Sequence, residues 1–594
     1  MIRAAKRPPG GFLARTRLNQ KERKPMSHKP VGLIYGVDET PPLGVNVLSG
    51  LQHVGLMSIF LVYPVLIAQA AGSTAEVAAA MVSATLIAMA VGTVLQVITV
   101  GPIGSGYLCQ PSPSVVYIVP SLIAARSGEL SALFGMTILA GLFEMALARV
   151  LPRLRSLFTP EITGLVVLLA GISVGVVGLR TALGGSQADM QPAQIDLLLG
   201  LGTLTLMVAL NVWGRGGLRV FSVLIGLGAG CLVGGALGRL DPHDMARVVT
   251  APVLAVPAWG AVGWSFDATL LLPFLIASVA AVLKVIGNVT TAQKASQAGW
   301  VRADMRSISR GVLADGLGSV AAGALGAPGI NSSTGAVGLA TATGVVSRRI
   351  GWSVAAILLL FAFVPKLGLL FNLIPRPVLG AALVFSSTFI IINGLLIMTS
   401  RLLDARKTLV IGLAIVFGLA VEIFPGLLVV LPSALRPSFG NSLVLGTLVG
   451  LGLNLLFRIG LRRSVAMTVE PGAINPAALE QFLDLHGAAW GARSDVIVRA
   501  KFNLVQSIET LVSSGVATGP LAIQASFDEF NLDLQVSYDG LDLELPQQRP
   551  TVDEIIDSDD GERRMAGFLL RSFADRVTSR RSGPRASVAF HFDH

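Results

Sequence analysis

The chain has 594 residues, of which 53% are hydrophobic and only 13% are charged, and its formal net charge at pH 7 is +10. Soluble domains carry about 25% charged residues, so this composition excludes a soluble globular protein and indicates one that crosses a membrane several times. The apolar runs are continuous over the length of a helix, whereas a membrane barrel alternates in shorter pieces. We therefore predict an all-α polytopic membrane domain.

The first thirty residues are rich in lysine and arginine and contain a single acid. We predict a basic cytoplasmic tail over residues 1–40, in keeping with the positive-inside rule. The alternative is an arm that binds nucleic acid or lipid, although a nucleic-acid partner is not expected. The tail lacks the apolar core of a cleavable signal peptide.

Apolar segments long enough to span a bilayer recur through residues 41–463, which we assign to the membrane domain. They lie at residues 48–71, 77–100, 132–150, 161–181, 195–213, 219–238, 267–291, 352–372, 376–398, 406–424 and 440–459. Basic connections at residues 347–349, 401–407 and 457–463 should face the cytoplasm. We expect a bacterial-type inner membrane with both termini cytoplasmic, because the number of crossings is even.

Two further segments are rich in Gly, Pro, Ser and Thr and are too interrupted to form ordinary spans. They cover residues 101–125 and 314–344, in corresponding positions of two halves of the domain. Paired segments of this kind indicate a substrate site near the bilayer midplane of a transporter built from inverted repeats. The alternative is two re-entrant loops with a purely structural role.

Lys284 lies deep within the apolar segment at residues 267–291. A charged side chain at the centre of a bilayer costs at least about 2.5–3.5 kcal/mol on insertion scales, so it normally faces a cavity or a partner. One interpretation is a site that handles ions, protons or a polar solute. The other is an internal salt bridge, for which Asp315 is the obvious partner.

After Arg463 the composition becomes that of a soluble protein, and residues 464–594 are predicted to form a cytosolic α+β domain. Alternation at residues 520–540 predicts a strand pair, and amphipathic patterns predict helices near residues 494–513 and 562–577. This order resembles the histidine-kinase-like ATPase fold in its small anti-sigma-factor-like form. Because QSIETLV lacks the Asn that would hold Mg²⁺ and YDGLDLE lacks the second Gly, we expect an inactive domain with a regulatory, partner-binding or dimer-supporting role.

Four stretches of the membrane domain carry motifs of one transporter family in the right order. They are PPLGVNVLSGLQHVGL, FTPEITGLVVLLAGISVGVVGL, SISRGVLADGLGSVAAGALGAPGINSS and LIPRPVLGAAL, at residues 41–56, 158–179, 307–333 and 373–383. They resemble the nucleobase–ascorbate transporter family, also called nucleobase:cation symporter 2, which includes uracil and xanthine permeases. The resemblance covers nearly the whole membrane domain.

The resemblance implies about fourteen transmembrane segments in two inverted seven-segment repeats, divided into a core domain and a gate domain. The core would carry the substrate and two short half-strands, placed here around residues 114–118 and 329–335. The resemblance also implies a homodimer and alternating access, with H⁺ or Na⁺ as the possible coupling ion and no other cofactor.

The chain departs from the family at the substrate site. Relatives that import uracil or xanthine hold the base with a glutamate in the eighth segment and often place a histidine one turn later. Here Lys284 and Asn288 occupy those positions, four residues apart on one helix face. The tenth-segment signature at residues 335–344 keeps Thr343 but lacks the polar pair at its start, so the usual clamp on the base is absent.

We therefore predict two groups of site residues. The substrate-binding group comprises Lys284, Asn288, Gln52, His53, Ser114, Val115, Thr334 and Gly335, and coupling or supporting roles are assigned to Asp315, Asn331, Ser333 and Thr343. The polar side chains at residues 331–334 either bind the substrate or only cap the half-helix that follows, whose N–H groups favour an anion. His53 either lines the site or is a packed core group.

The chemistry of Lys284 restricts which solutes the site can bind. An ammonium group only donates hydrogen bonds, so Lys284 suits carbonyl-rich or anionic solutes, such as urate, anionic xanthine or a small carboxylate, better than a neutral pyrimidine. Lys284 could also carry the coupled proton itself or stand in for a coupling cation.

The sequence thus predicts a secondary active transporter of purine-type nucleobases such as xanthine or urate. The first alternative is an inorganic or carboxylate anion carrier on the same fold, which the related sulfate-permease family makes plausible. The second is a membrane sensor that signals solute occupancy through the C-terminal domain. The membrane domain contains no nucleophile–base pair, phosphate-binding loop or metal-ligand spacing, so neither an enzyme nor a metal site is expected.

Overall fold

The structure, a computed structural model, describes most of the chain. It covers residues 30 and 32–593 apart from 127–129, 155–158, 184–193, 216–217, 219–220, 258–262, 299, 301–302, 400–402, 404, 431, 433–435, 458–462, 473–474, 491, 493, 514, 529–530, 542–543, 547 and 549–560. Most of the tail predicted over residues 1–40 therefore lies outside the described residues.

The apolar segments fold as helices, because backbone N–H and C=O groups inside a bilayer must bond within their own segment. Seven helices of the described chain are long and apolar enough to cross a membrane. The helices before the first broken segment are α1 (Leu43–Met57), α2 (Val62–Ala70) and α3 (Ala75–Val97); a 3-10 turn at Ser58–Leu61 joins α1 to α2.

The remaining helices of the membrane part follow in chain order. They are α4 (Val115–Arg126), α5 (Leu130–Leu154), α6 (Pro160–Ala182), α7 (Gln194–Trp213), α8 (Ser222–Ala236), α9 (Pro242–Thr250), α10 (Ala268–Ser296), α11 (Met305–Leu325), α12 (Thr334–Thr343), α13 (Ile350–Ala362), α14 (Pro365–Asn372), α15 (Arg376–Met398), α16 (Ala405–Ile423), α17 (Arg436–Phe439) and α18 (Ser442–Leu456), with a 3-10 turn at Pro425–Val430.

One predicted segment, residues 352–372, forms two helices instead of one. Helices α13 and α14 meet at an angle of 77°. The break falls at Val364, which has φ −107° and ψ 87° and precedes Pro365. The proline ring disfavours helical backbone at the residue before it, so the helix ends there and a new one begins at the proline.

The two interrupted segments each contain a three-residue strand. Strand β1 (Pro111–Pro113) pairs antiparallel with β2 (Ile330–Ser332), and Ser112 lies opposite Asn331. The second half-strand falls within its predicted range, but residues 114–118, predicted as the first, lie just after β1 and mostly form the start of α4. Pro111 and Pro113 each disfavour helical backbone at the residue before them, which keeps this stretch extended, and α4 begins at Val115.

Helices α5 and α11 approach each other at backbone distance through glycines. A Cβ atom added to Gly323 would lie 2.6 Å from the carbonyl oxygen of Phe134. Small residues allow membrane helices to gain van der Waals contact where no hydrophobic driving force is available. The position of α11, which carries Asp315, therefore depends on these glycines.

Over the described residues the chain divides into two compact units. One comprises Met1–Pro152, Ala170–Ile392 and Gly426–Val444 and contains both half-strands. The other comprises Arg153–Leu169, Asn393–Pro425 and Leu445–His594.

The second unit contains a five-stranded antiparallel sheet in the order β3-β4-β5-β7-β6. Alternate side chains of β5 are buried, which matches the predicted alternation. The predicted helix near residues 562–577 ends at Phe573, and its last residues form an edge strand. The elements are β3 (Arg463–Val469), α19 (Pro476–Trp490), α20 (Ser494–Ser513), β4 (Leu521–Phe527), β5 (Asn531–Asp539), α21 (Gly561–Phe573), β6 (Arg576–Ser582) and β7 (Arg585–Asp593).

Gly323→Ala is expected to destabilise the protein by about 1–3 kcal/mol, because the added methyl group forces α5 and α11 apart. The measurement is the midpoint of thermal unfolding of the detergent-purified protein. Gly202→Ala on α7 is the matched control, since a Cβ atom there meets nothing within 4 Å. Equal midpoints for the two variants would contradict the close helix contact.

Candidate functional site

Asn288 joins α10 to the second half-strand. Its side chain is buried, and Nδ2 donates hydrogen bonds to the carbonyl oxygen of Ser332 at 2.9 Å and to the hydroxyl oxygen of Ser332 at 2.8 Å. The broken backbone of β2 thus receives a partner from α10. This residue lies one turn from Lys284 on the same helix.

Asp315 holds β2 from the other side. Its Oδ1 accepts a hydrogen bond from the backbone N–H of Ser332 at 2.9 Å, and Oδ2 accepts one from Nδ2 of Asn331 at 2.6 Å. The same amide nitrogen of Asn331 lies 3.1 Å from the carbonyl oxygen of Ala281 on α10. The predicted residues Asp315, Asn331 and Asn288 therefore form one connected hydrogen-bond network around β2.

Lys284 is half-buried on α10, and its charge acts on Asp315 through space. Among the described residues, its Nζ makes no hydrogen bond and lies within 4.0 Å of no carboxylate oxygen. The internal salt bridge with Asp315, the alternative interpretation of this lysine, is therefore not formed.

Helix α1 brings His53 to the start of α12. The ring is buried, with Nδ1 2.8 Å from the carbonyl oxygen of Ser49 and an interaction with the backbone of Ala336. Its Nε2 has no hydrogen-bond partner within the described part of the chain. Gln52, the neighbouring predicted residue, is half-buried on the same helix.

Ser114 and Val115 lie where the first broken segment becomes helix α4. The backbone N–H of Ser114 donates to the carbonyl oxygen of Gly329 at 3.0 Å, which extends the contact between the two broken segments by one bond. The Ser114 hydroxyl is buried and has no hydrogen-bond partner in the described chain. Val115 is buried as the first residue of α4.

Ser333 caps helix α12, since its hydroxyl accepts a hydrogen bond from the backbone N–H of Ala336 at 3.4 Å. Thr334 is half-buried and Gly335 is exposed in the first turn that follows. Thr343, by contrast, ends the same helix, and its hydroxyl donates to the carbonyl oxygen of Leu339 at 2.8 Å. At 1.5 Å per residue it lies about 15 Å from Ser333, so the structure does not bring Thr343 to the other predicted residues.

The membrane part of the chain matches one family over most of its length. The model described as "Permease family", which covers xanthine and uracil permeases, matches residues 44–427. The xanthine permease XanP of Escherichia coli strain K12 is 31% identical over 72% of this chain and 94% of its own length. The chain belongs to this permease family.

Two further similarities extend the comparison. The uric acid permease PucJ of Bacillus subtilis strain 168 is 28% identical over 69% of this chain and 92% of its own length. The transmembrane domain of the cyanobacterial bicarbonate transporter BicA superposes with a TM-score of 0.44 at 17% identity, over 71% of this chain and 99% of that domain. The predicted nucleobase–ascorbate transporter family is confirmed, as is the prediction that the chain is not an enzyme.

The structure of this permease contains buried polar residues beside the site that the sequence analysis missed. Glu144 on α5 is fully buried and accepts a hydrogen bond from the hydroxyl of Tyr117 on α4. The amide of Gln110, just before β1, is also fully buried. The rule that singled out Lys284, an ionisable side chain within an apolar helix, applies equally to Glu144 and could have found it.

Asn331→Ala is expected to lower the free energy of unfolding by about 1–3 kcal/mol, because Oδ2 of the buried Asp315 loses its donor. Thermal unfolding of the purified permease measures the change. Thr343→Ala serves as the control, since its hydroxyl bonds only within its own helix. If both variants unfold at the same temperature, Asn331 does not hold Asp315 in place.

Proposed function

We propose that this permease is a secondary active transporter of purine-type nucleobases such as xanthine or urate. The observation that carries the proposal is the Lys284 ammonium group, which makes no hydrogen bond and no ion pair within 4.0 Å among the described residues and lies one turn from Asn288 and the β2 network. A donor of this kind complements the carbonyl oxygens of an oxidised purine or the charge of its anion. The names of XanP and PucJ agree with this solute class.

The transport cycle we propose is alternating access coupled to H⁺. About fourteen membrane segments in two inverted repeats would provide a core domain that carries the solute and a gate domain, and the antiparallel pair β1–β2 supports this symmetry. The first turns of α4 and α12 begin beside these strands, and their N–H groups favour negative charge. Both termini would be cytoplasmic, and the family resemblance suggests a homodimer.

Lys284→Met is expected to raise the KM for xanthine or urate about 10–100-fold, because the loss of a hydrogen bond to a charged group costs about 1.5–3 kcal/mol. Uptake of the radiolabelled purine in a permease-deficient strain measures it, at matched expression. Lys294→Met, on an exposed part of the same helix, is the control and should leave KM unchanged. An unchanged KM in Lys284→Met would place the solute elsewhere.

Lys284→Glu tests whether the lysine sets specificity. The carboxylate would restore the acceptor that relatives use for ring N–H groups, so we expect uptake of a neutral base such as uracil to appear while urate uptake falls. The same uptake assay, with both solutes, measures the change. Identical solute preferences of the variant and the wild type would contradict a role in specificity.

An anion carrier on the same fold is the second candidate, because an unpaired ammonium group and two helix N-termini suit any small anion. Competition for uptake separates the two. Excess unlabelled xanthine or urate should inhibit uptake of the labelled purine, and bicarbonate and dicarboxylates should not. Inhibition by the inorganic or carboxylate anions alone would favour the anion carrier.

A sensor that signals through the C-terminal domain is the third candidate. Its five-stranded sheet, with the described helices α19, α20 and α21, follows α18 along the chain. A variant that lacks the residues after Arg463 tests whether transport and signalling can be separated. Full uptake together with a lost regulatory response would indicate that the domain reports occupancy, whereas lost uptake would indicate that it supports the permease itself.

A further inference from the structure

Glu144 has a buried oxygen that no donor satisfies. The residue is fully buried on α5, and its Oε1 accepts the hydrogen bond from Tyr117. Its Oε2 is buried and has no hydrogen-bond partner in the described structure. A buried carboxylate oxygen without a donor is costly, so a proton on this oxygen is the simplest way to satisfy it.

The carboxyl group of Asp315 lies beside that of Glu144. Helices α5 and α11 meet here at backbone distance: a Cβ atom added to Gly316 would lie 2.7 Å from the carbonyl oxygen of Gly141 and 3.1 Å from Cβ of Glu144. The two carboxyl groups interact directly. Two buried carboxylates in contact repel each other strongly, and the single ammonium group of Lys284 offsets only one of the two charges, so both are not ionised together.

The hydrogen bonds identify the acid that carries the proton. Each oxygen of Asp315 already accepts a bond, from the N–H of Ser332 and from the amide of Asn331. This arrangement suits a carboxylate, which only accepts. The free Oε2 of Glu144 can instead hold an O–H group that donates to Asp315.

We propose that Glu144 and Asp315 share one proton and form the proton-binding site of the transport cycle. The inference rests on the proposed function and deepens it, since it assigns the coupling to residues of α5 and α11. The position that carries an acid in relatives holds Lys284 in this chain, so a proton site on α10 is not available there as a carboxyl group.

The charges of the neighbouring groups balance in the protonated state. Within the described chain three titratable groups act on the pair: Tyr117 from α4, Cys109 from the loop before β1, and Lys284 from α10. With a neutral Glu144, the ammonium of Lys284 offsets the carboxylate of Asp315. Loss of the proton to water leaves one uncompensated negative charge, which is favourable only in a state that admits water.

The protonation state of the Glu144–Asp315 pair can affect solute binding through β2. Asp315 holds the backbone of Ser332, and Asn288 bonds the same residue from α10. Lys284 lies one turn away. A second negative charge on the pair would compete with an anionic solute for the ammonium group, so proton loss and solute release favour each other.

The test uses the purified full chain in lipid vesicles and labelled xanthine or urate. Glu144→Gln keeps the shape of the protonated acid but cannot release a proton. We expect this variant to retain exchange of internal for external solute, to lose accumulation driven by a pH gradient, and to carry no proton detectable by a trapped pH dye. Glu76→Gln, at an exposed acid on α3, should behave as the wild type in all three assays.

The outcomes separate this inference from the proposed function. Accumulation and proton entry that persist in Glu144→Gln would overturn the proton site while leaving the purine transporter intact. A wild type that exchanges neither purine would overturn the proposed function itself. If Glu144→Gln does not fold, the infrared spectrum of the wild type decides: a carboxylic-acid carbonyl band that shifts in heavy water is expected at pH 7, and its absence would overturn the shared proton.

Discussion

The hydrogen bonds that Asp315 accepts from the second half-strand are the constraint on which the site depends. Backbone that is neither helix nor part of a wide sheet can lie at membrane depth only if other groups satisfy its N–H and C=O groups. The pair β1–β2 satisfies part of them, and three side chains provide further bonds. Asp315 accepts from Ser332, Ser319 donates to Ile330 at 2.7 Å, and Asn288 donates to Ser332.

This requirement divides the polar residues of the site into two kinds. The amide nitrogens of Asn331 and Asn288 and both oxygens of Asp315 bond to the protein and fix the geometry of the broken backbone. Lys284 and the Nε2 atom of His53 have no such partner in the described residues. The groups that hold the site are thus distinct from the groups that remain available to a solute, and a substitution in the first kind affects folding before it affects binding.

Much of the membrane fold could be predicted from the sequence, because long apolar runs leave the backbone no choice but helix. The half-strands were harder to place, since a three-residue strand has no periodicity, and the first begins three residues earlier than the resemblance suggested. The charge of Lys284 made it predictable from the sequence, but the sequence could not show that its ammonium group forms no ion pair with Asp315. The distance between the two residues depends on the position of Asp315 on α11, and the glycine contacts between α11 and α5 determine that position.

The strands of the C-terminal sheet also differ in how well the sequence predicts them. The buried strand β5 alternates clearly, whereas β6 reads RVTSRRS and is largely exposed. Charged residues on edge strands of this kind discourage pairing with other chains. The same residues remove the alternation of apolar and polar side chains from which a strand is predicted. Glu144 lies on α5, outside the four stretches that carry the family motifs, so the resemblance gave no signal for it.

The pairing of β1 with β2 also has a consequence for the order of assembly. The two strands are separated by roughly 200 residues, which take about 10–40 s to synthesise at 5–20 residues per second. During this interval the first broken segment exists without its partner strand. The strand is short and its two prolines lack N–H groups, so few backbone donors remain without a hydrogen-bond partner until β2 is synthesised. The prolines of β1 thus suit biogenesis as much as the finished site.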